Sequence, residues 1–359
     1  MKIVITLLIL TMTLFPSCKE ENIVIVIKND VQNQPREYYI AAEEVQWDYA
    51  PQNMNLITNA PFSLEELVFM RNDTNRIGRT YIKARYKLYT DNTFNVPLIV
   101  GEEPELGILG PVIRAEVGDK LKVNFKNKTK FFVSMHPHGV KYDSNNEGIT
   151  GVPSDGLFSY EWDVTEEAGP GSADGSSVLW MYHSHVTENN GQDIYAGLVG
   201  PLVVYKKGML ENGKAKDIDQ EKFAFFSVFD ENASLYLDSN IEKYTTTQNP
   251  TIKDDPDFQE SNKMHSVNGL MFGHQQFNVA TGKKVRWYVF DLGNEIDWHT
   301  AHWHGNTTIS KGSRMDVVSV GPANMLVADM NVENAGNWQF HCHVHDHMVA
   351  GMISLYDAK

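Results

Sequence analysis

Near the C-terminus the sequence reads WQFHCHVHDHMVAGMISLY over residues 338–356. An earlier stretch repeats its main features, with WMYHSHV over residues 180–186 followed by AGLVGPLVVY over residues 196–205. The segments around both stretches alternate apolar and polar residues and are interrupted by Gly, Pro and Asn, which is the strand-and-turn pattern of β-sandwiches. The sequence therefore predicts an all-β chain that contains two tandem units.

A second pair of motifs completes this internal repeat. HPHG occupies residues 136–139 and HWHG occupies residues 302–305, so each unit carries two HxH pairs. We predict a first domain over residues 36–207 and a second over residues 220–359, joined by a polar stretch. Residues 245–260, which contain two prolines and several acidic side chains, are predicted to form an irregular surface excursion of the second domain.

Charge and cysteine usage limit the class of protein. The chain has 359 residues, 31 basic and 46 acidic, and a formal charge of −15, which argues against a nucleic-acid partner and suits attraction of cations. Residues 1–17 have a basic start and a short apolar run, as in an export signal. Cys18 then follows a small residue and is a predicted lipid anchor; plain secretion is the alternative. We expect an exported protein of the periplasm or cell envelope in which Cys342 is the one free thiol.

The HxH spacing predicts shared metal sites. Residues i and i+2 of a strand point to the same face, so each pair aims two imidazoles at one place. Imidazole suits copper, zinc, iron or nickel, so the spacing alone does not select the metal. The four pairs together supply eight imidazoles, from His136, His138, His183, His185, His302, His304, His341 and His343.

Cys342 narrows the choice of metal. Strand alternation sends His341 and His343 to one face and the thiol between them to the other. Two histidines, one cysteine and a distant methionine form the ligand set of blue-copper electron-transfer sites. This set is available from His299, Cys342, His347 and Met352. The sequence therefore predicts a sulfur-ligated copper a few covalent bonds from a histidine cluster.

The first unit lacks this sulfur-containing set. Aligning its HxH pairs with those of the second unit places four non-ligating residues at the corresponding positions: Val133, Ser184, Asp193 and Leu198. Since all four HxH histidines of the first unit remain, we expect the first domain to contribute to the histidine cluster alone.

The chain resembles two-domain multicopper oxidases, and in particular the paired cupredoxin units of the ceruloplasmin and hephaestin family. The segments that carry the resemblance are AAEEVQWDYAP (41–51), LGILGPVIRAEVGD (106–119), ESNKMHSVNG (260–269), GNEIDWHTAHWHG (293–305) and HCHVHDHMVAGM (341–352). The resemblance implies two tandem cupredoxin-like Greek-key domains and four copper ions per functional site. It assigns type 1 copper to His299, Cys342, His347 and Met352, type 2 copper to His136 and His302, and the type 3 pair to His138, His183, His185, His304, His341 and His343.

The resemblance also implies an activity. A multicopper oxidase couples one-electron oxidation of a reducing substrate to the four-electron reduction of dioxygen to water. Ferroxidases of this family use an acceptor site that matches Glu260, His265 and Asp346, so Fe(II) is the expected reductant. A laccase-like oxidation of phenols or aromatic amines is the alternative. Glu147 and Asp155, which follow the first HxH pair, are candidates for proton relay.

The same resemblance raises two alternative classes of protein and implies an oligomeric state. The coagulation-factor A domains share the fold as non-catalytic interaction modules, but such modules lose the copper ligands that this chain has kept. Copper nitrite reductase carries its type 1 ligands in the first domain and lacks the complete type 3 set, which is opposite to the pattern here. With two domains per chain, the resemblance implies a homotrimer whose clusters lie between subunits.

Overall fold

The structure is a computed structural model that describes residues 34–98 and 103–359. The predicted export signal over residues 1–17 and the predicted anchor Cys18 lie outside the described residues. Within the described ranges, no helix has both the length and the apolar character that crossing a membrane requires. Strands account for most of the regular structure, which confirms the prediction of an all-β chain.

The first half of the chain forms two four-stranded sheets. Its strands are β1 (Arg36–Asp48), β2 (Thr80–Tyr89), β3 (Ile113–Glu116), β4 (Lys120–Lys128), β5 (His136–Pro137), β6 (Leu157–Asp163), β7 (Ser177–His183) and β8 (Val199–Tyr205). One sheet has the order β2-β1-β4-β6 and the other has the order β3-β8-β7-β5. Every second side chain of β4 is buried, as one face of a sandwich requires. Short helices lie between strands: α1 (Leu67–Met70), α2 (Glu103–Leu106) and α3 (Gln192–Tyr195).

The second half forms a larger pair of sheets. A small hairpin, β9 (Leu210–Glu211) and β10 (Lys214–Ala215), precedes it. The remaining strands are β11 (Gln220–Asp230), β12 (Lys263–Val267), β13 (Gln276–Val279), β14 (Lys284–Asp291), β15 (His299–Trp303), β16 (Thr308–Ser310), β17 (Ser313–Met315), β18 (Val317–Val320), β19 (Met325–Asn331), β20 (Gly336–Cys342) and β21 (Ile353–Ala358). Their orders are β12-β11-β14-β19-β16-β17 and β13-β21-β20-β15-β18.

Three α-helices and four short 3-10 helices complete the described elements. The α-helices are α4 (Leu237–Tyr244), α5 (Pro256–Ser261) and α6 (His345–Val349). The polar stretch over residues 245–260 is therefore less irregular than predicted, because Pro256 begins α5 and the Asp255 carboxylate caps it by accepting two backbone N–H groups. The 3-10 helices span Glu166–Ala168, Thr187–Asn189, Glu231–Ala233 and Ile252–Asp254.

The sheet pairing reproduces the sequence repeat. β1 runs parallel to β4 as β11 does to β14, and β3 runs parallel to β8 as β13 does to β21. The antiparallel pair β5 and β7 sets His136 opposite His183, and the pair β15 and β20 sets His302 opposite His341. The two HxH motifs of each half therefore lie side by side on neighbouring strands.

One hydrophobic core is shared by the two halves. It contains Tyr49 and Tyr81 from the first half and Phe229 from the second, all fully or almost fully buried. At its centre Lys83 forms an ion pair with Glu231, and both side chains have zero solvent exposure. The Tyr49 hydroxyl also donates to Glu231. Burying both charges is tolerated because they neutralise each other.

This buried pair predicts a stability effect. We expect Lys83→Met to lower the free energy of unfolding by about 3–5 kcal/mol, because it leaves the Glu231 carboxylate buried without its cation. The double variant Lys83→Met/Glu231→Gln should lose less, since the neutral amide can still accept from the Tyr49 hydroxyl. Urea unfolding of both variants measures the difference; a double variant less stable than the single one would contradict it.

Candidate metal centres

The end of β20 carries a cluster of one thiol and two imidazoles, which we call the thiolate site (His299, Cys342 and His347). The Cys342 Sγ atom lies 3.8 Å from His299 Nδ1 and 3.9 Å from His347 Nδ1, and the two Nδ1 atoms are 3.1 Å apart. β15 supplies the first histidine and α6 supplies the second. Three donor atoms thus surround one point, as a single metal ion needs.

Backbone hydrogen bonds fold the C-terminal loop around this site. The Cys342 N–H donates to Met352 O at 3.1 Å, and the Met352 N–H donates to His347 O at 2.9 Å. Met352 is completely buried within the core of the second half. Burial raises the pKa of the Cys342 thiol. A thiolate here therefore needs a bound cation, and a His₂Cys set with a buried thiol and a nearby methionine fits copper.

The neighbours of Cys342 belong to a second cluster, the second histidine set (His302, His304, His341 and His343). His304 Nε2 lies 3.0 Å from His341 Nε2. The ring centroids of His302 and His343 are 5.2 Å apart. The alternation of residues 341–343 thus puts the thiol and the two flanking imidazoles in different sites, as the sequence predicts.

The first half holds the corresponding first histidine set (His136, His138, His183 and His185). His138 Nε2 lies 3.1 Å from His183 Nε2. Backbone carbonyls fix two of the rings through Nδ1, because His136 Nδ1 contacts Glu147 O at 2.6 Å and His183 Nδ1 contacts Ser184 O at 2.8 Å. An Nδ1–H that donates to a carbonyl leaves Nε2 as the free ligand atom.

Burial keeps these rings in the form that binds metals. It lowers the pKa of His138 to about 4, that of His183 to about 3 and that of His341 to about 4, with further lowering by neighbouring imidazoles. At neutral pH the rings are therefore uncharged and keep a free lone pair. The two compact groups of four histidines fit the copper ions that the sequence predicts.

Within the chain the two histidine sets are separate. Each ring contact among these eight histidines, over the residues that the structure describes, joins members of one set. The predicted type 2 pair, His136 and His302, is thus not brought together inside one chain. His185 and His343 are exposed, so both sets open to the surface. The second set borders a cleft of about 450 Å³.

Buried acids beside the thiolate site were missed by the sequence analysis. His299 Nε2 lies 3.3 Å from Asp297 Oδ1 and 3.8 Å from Asp291 Oδ1, and both acids are fully buried. Burial, with the neighbouring Asp297 charge, raises the pKa of Asp291 to about 9. Asp297 stands two residues before His299, a spacing that strand alternation could have flagged. Asp291 ends β14, and only the fold brings it close.

The three predicted acceptor residues differ in their position relative to His347, the other histidine of the thiolate site. The His265 ring is buried on β12, with its centroid 5.2 Å from that of His347. Glu260, at the end of α5, is exposed and pairs with Lys263 at 3.1 Å. Asp346 is exposed in the first turn of α6, next to His347. The structure thus brings His265 to the thiolate site and leaves both carboxylates at the surface.

The two predicted proton-relay acids have different surroundings. Glu147 touches the first histidine set through its backbone carbonyl, which holds His136. The structure does not bring Asp155 to the histidines in this way, because its side chain is 88% exposed and pairs with Lys126. Asp316, which the sequence analysis did not select, lies 3.8 Å from His302 Nε2 through Oδ2. It follows the HWHG motif by more than ten residues, so spacing gave no signal for it.

Comparisons with known proteins agree with this fold. Family models described as multicopper oxidase match residues 105–208 and 242–358. Ferroxidase HEPHL1 of Mus musculus is 41% identical over 339 residues, which cover 89% of this chain and 29% of that protein. Ceruloplasmin of Ovis aries is 43% identical over 341 residues, which cover 89% of this chain and 32% of that protein. A solved multicopper oxidase superimposes with a TM-score of 0.58 at 18% identity, covering 90% of this chain and 89% of that chain.

The two β-sandwiches have the cupredoxin-like architecture of copper oxidases, with a thiolate site in the second and histidine sets in both. The chain belongs to the multicopper oxidase family. It spans about a third of the length of the curated relatives it matches. Copper is the metal that this family membership and the donor sets imply.

The thiolate site gives a direct spectroscopic prediction. Copper-loaded protein should be blue, and Cys342→Ser should abolish the blue absorption, because the thiolate sulfur is the ligand that distinguishes this site from the histidine sets. Copper bound by the eight HxH histidines should persist in the variant. Visible absorption and copper content measure both effects, with Cys18→Ser as the control that keeps the colour. Unchanged absorption in Cys342→Ser would refute the assignment.

Proposed function

We propose that the protein is a multicopper oxidase that oxidises Fe(II) to Fe(III) and reduces dioxygen to water. The observation that carries the proposal is Cys342, which belongs to the thiolate site while both neighbours in sequence belong to the second histidine set. An electron that reaches the sulfur therefore has a short covalent path to two imidazoles of the other cluster. A copper store or carrier would have no need of such a connection.

The assignment of residues follows the family pattern. His299, Cys342, His347 and Met352 would hold type 1 copper, His136 and His302 type 2 copper, and the other six HxH histidines the type 3 pair. When bound, copper would supply one-electron acceptance at the first site and dioxygen reduction at the cluster. The chain itself excludes water from Met352 and Cys342 by burial, and it orients His136 and His183 through their Nδ1 contacts to backbone carbonyls.

Iron is the proposed reductant because of the groups around His347. His265 contacts that ligand, Asp346 precedes it in α6, and Glu260 at the end of α5 offers a second exposed carboxylate. Such oxygens stabilise Fe(III) over Fe(II), which favours loss of an electron to copper. HEPHL1, a relative at 41% identity, is named a ferroxidase. A laccase-like oxidation of phenols or aromatic amines is the alternative. It would use the same thiolate site but would not need these carboxylates.

Dioxygen reduction also needs protons near the histidine sets. Glu147 is a proposed relay residue because its peptide carbonyl binds His136, which holds the residue beside the cluster. Asp155 is the second proposed relay residue, and its exposed carboxylate pairs with Lys126. Neither role is required for the thiolate site to take up electrons, so loss of either acid should affect the oxygen half of the reaction.

The separation of the two histidine sets supports assembly as a homotrimer. A complete cluster needs members of both sets, and each set is partly exposed at the surface of its own half. A ring of subunits would join the first set of one chain to the second set of its neighbour. The relatives match this chain over about a third of their length, so three copies supply a comparable amount of chain.

We also propose that the protein is exported. Residues 1–17 would be the signal and Cys18 the lipid-modified residue that anchors the protein at the cell envelope or in the periplasm; otherwise the protein is secreted. Dioxygen and Fe(II) are small enough to reach the sites in either case. The negative formal charge of −15 suits a protein that attracts metal cations.

The iron proposal predicts a substrate-specific defect. Glu260→Gln should lower kcat/KM for Fe(II) by about tenfold and leave that for a phenol unchanged, because the carboxylate is proposed to bind only the metal ion. Oxygen uptake with each reductant measures this effect, and Asp257→Asn on the same helix is the control. Equal losses with both reductants, or none with iron, would refute the acceptor site while leaving the oxidase assignment intact.

The trimer proposal predicts complementation between inactive variants. His138→Ala disables the first set and His304→Ala disables the second, so neither variant alone should reduce dioxygen. In an equal mixture, each of the two subunits at an interface has about an even chance of supplying an intact histidine set. Mixed trimers should therefore recover up to about a quarter of wild-type turnover. The two variants are mixed under native conditions so that subunits exchange, and the recovered activity is measured by oxygen uptake. The absence of recovery despite proven exchange, or full turnover in a monomer, would contradict shared clusters.

A further inference from the structure

The first half retains the backbone of a thiolate site without its ligands. At the position that corresponds to Cys342, the Ser184 N–H donates to Leu198 O at 3.0 Å. The Leu198 N–H in turn donates to Asp193 O at 3.4 Å. The same two backbone bonds shape the thiolate site of the second half, at 3.1 and 2.9 Å. The alignment deduced from sequence thus corresponds to an equivalent local structure.

The side chains at this position form hydrogen bonds in place of a metal site. The Ser184 hydroxyl oxygen accepts from the Ser134 N–H at 2.9 Å. The Ser134 hydroxyl accepts from the His185 N–H at 3.1 Å and donates to Gly148 O. Both serines are completely buried. They therefore connect the segment before His136 with the HSH segment (183–185) and with the loop around Gly148.

Asp193 adds a buried carboxylate to this network. Its Oδ2 atom accepts from the Val186 N–H at 3.0 Å, directly after His185, and the side chain has no solvent exposure. Burial raises the pKa of this carboxyl, and side-chain hydrogen bonds with Ser184 and Asn189 oppose the rise. Burying a carboxylate lowers the free energy of unfolding. Its presence beside the backbone of the histidine segment therefore points to a role there.

These contacts reach the two peptide groups that orient the first histidine set. The ring of His183 is held by the carbonyl of Ser184, and the ring of His136 by the carbonyl of Glu147. Ser184 is itself part of the network, and Gly148, which follows Glu147, accepts from Ser134. A shift of either peptide would turn a ring away from its metal-binding direction.

We propose that Ser134, Ser184 and Asp193, which we call the Ser–Asp clasp, position the first histidine set for its share of the trinuclear cluster. The clasp occupies the place of a type 1 site and acts on the rings through the backbone, so its members are positioning residues. This inference rests on the proposed function, because it presumes that the first histidine set binds type 2 and type 3 copper.

The test compares copper types within one copper-loaded protein. Asp193→Ala and Ser184→Ala should each lower the type 2 and type 3 signals by about tenfold relative to the type 1 absorption, because second-sphere contacts control metal affinity by such factors. Asp193→Asn should retain the wild-type ratio, since its amide oxygen can still accept from Val186. Asp91→Ala is the matched control, because Asp91 also accepts a backbone N–H in the same half but in a turn after β2.

The type 1 absorption from the second half serves as an internal standard for folding. Wild-type ratios in both alanine variants would overturn the clasp, and so would parallel loss of type 1 copper with a lower unfolding midpoint. Loss of type 2 and type 3 copper with intact type 1 absorption supports it. A wild-type protein that itself lacks type 2 and type 3 copper would instead refute the proposed function and the clasp with it.

Discussion

The alternation of three residues at the end of β20 is the constraint on which the other features depend. Pairing with β15 on one side and β21 on the other fixes the register of this strand, so the side chain of Cys342 cannot exchange faces with its neighbours. The thiol consequently enters the buried site beside His299, and the flanking imidazoles meet the second histidine set. A slip of one residue would destroy both sites together.

The two halves divide the chemistry between them while sharing one core. The Lys83–Glu231 pair and the aromatic residues around it hold the halves together, yet the histidine sets that they carry do not meet within the chain. The structure thus combines a shared internal core with two separate histidine sets that open to the surface. This separation is the basis of the proposed homotrimer, in which neighbouring copies would complete the clusters.

Much of the site could be predicted from spacing because its members lie on strands. The HxH pairs and Cys342 follow the two-residue period of a strand, so one rule assigns their faces. Asp291 and Asp316 could not be found in this way, because they reach His299 and His302 from other strands or loops. Asp155 was predicted as a proton-relay acid because it follows the first HxH pair, but its carboxylate is exposed and pairs with Lys126.

The strand character, the internal repeat and the nature of the metal ligands follow from the amino-acid sequence alone, because they depend on local periodicity and on side-chain chemistry. Which donors meet depends on the packing of the sheets. It separated His136 from His302 and turned the place of a lost thiolate site into a hydrogen-bonded network around Asp193. Distances between strands far apart in sequence depend on how whole sheets pack, and no local pattern encodes them.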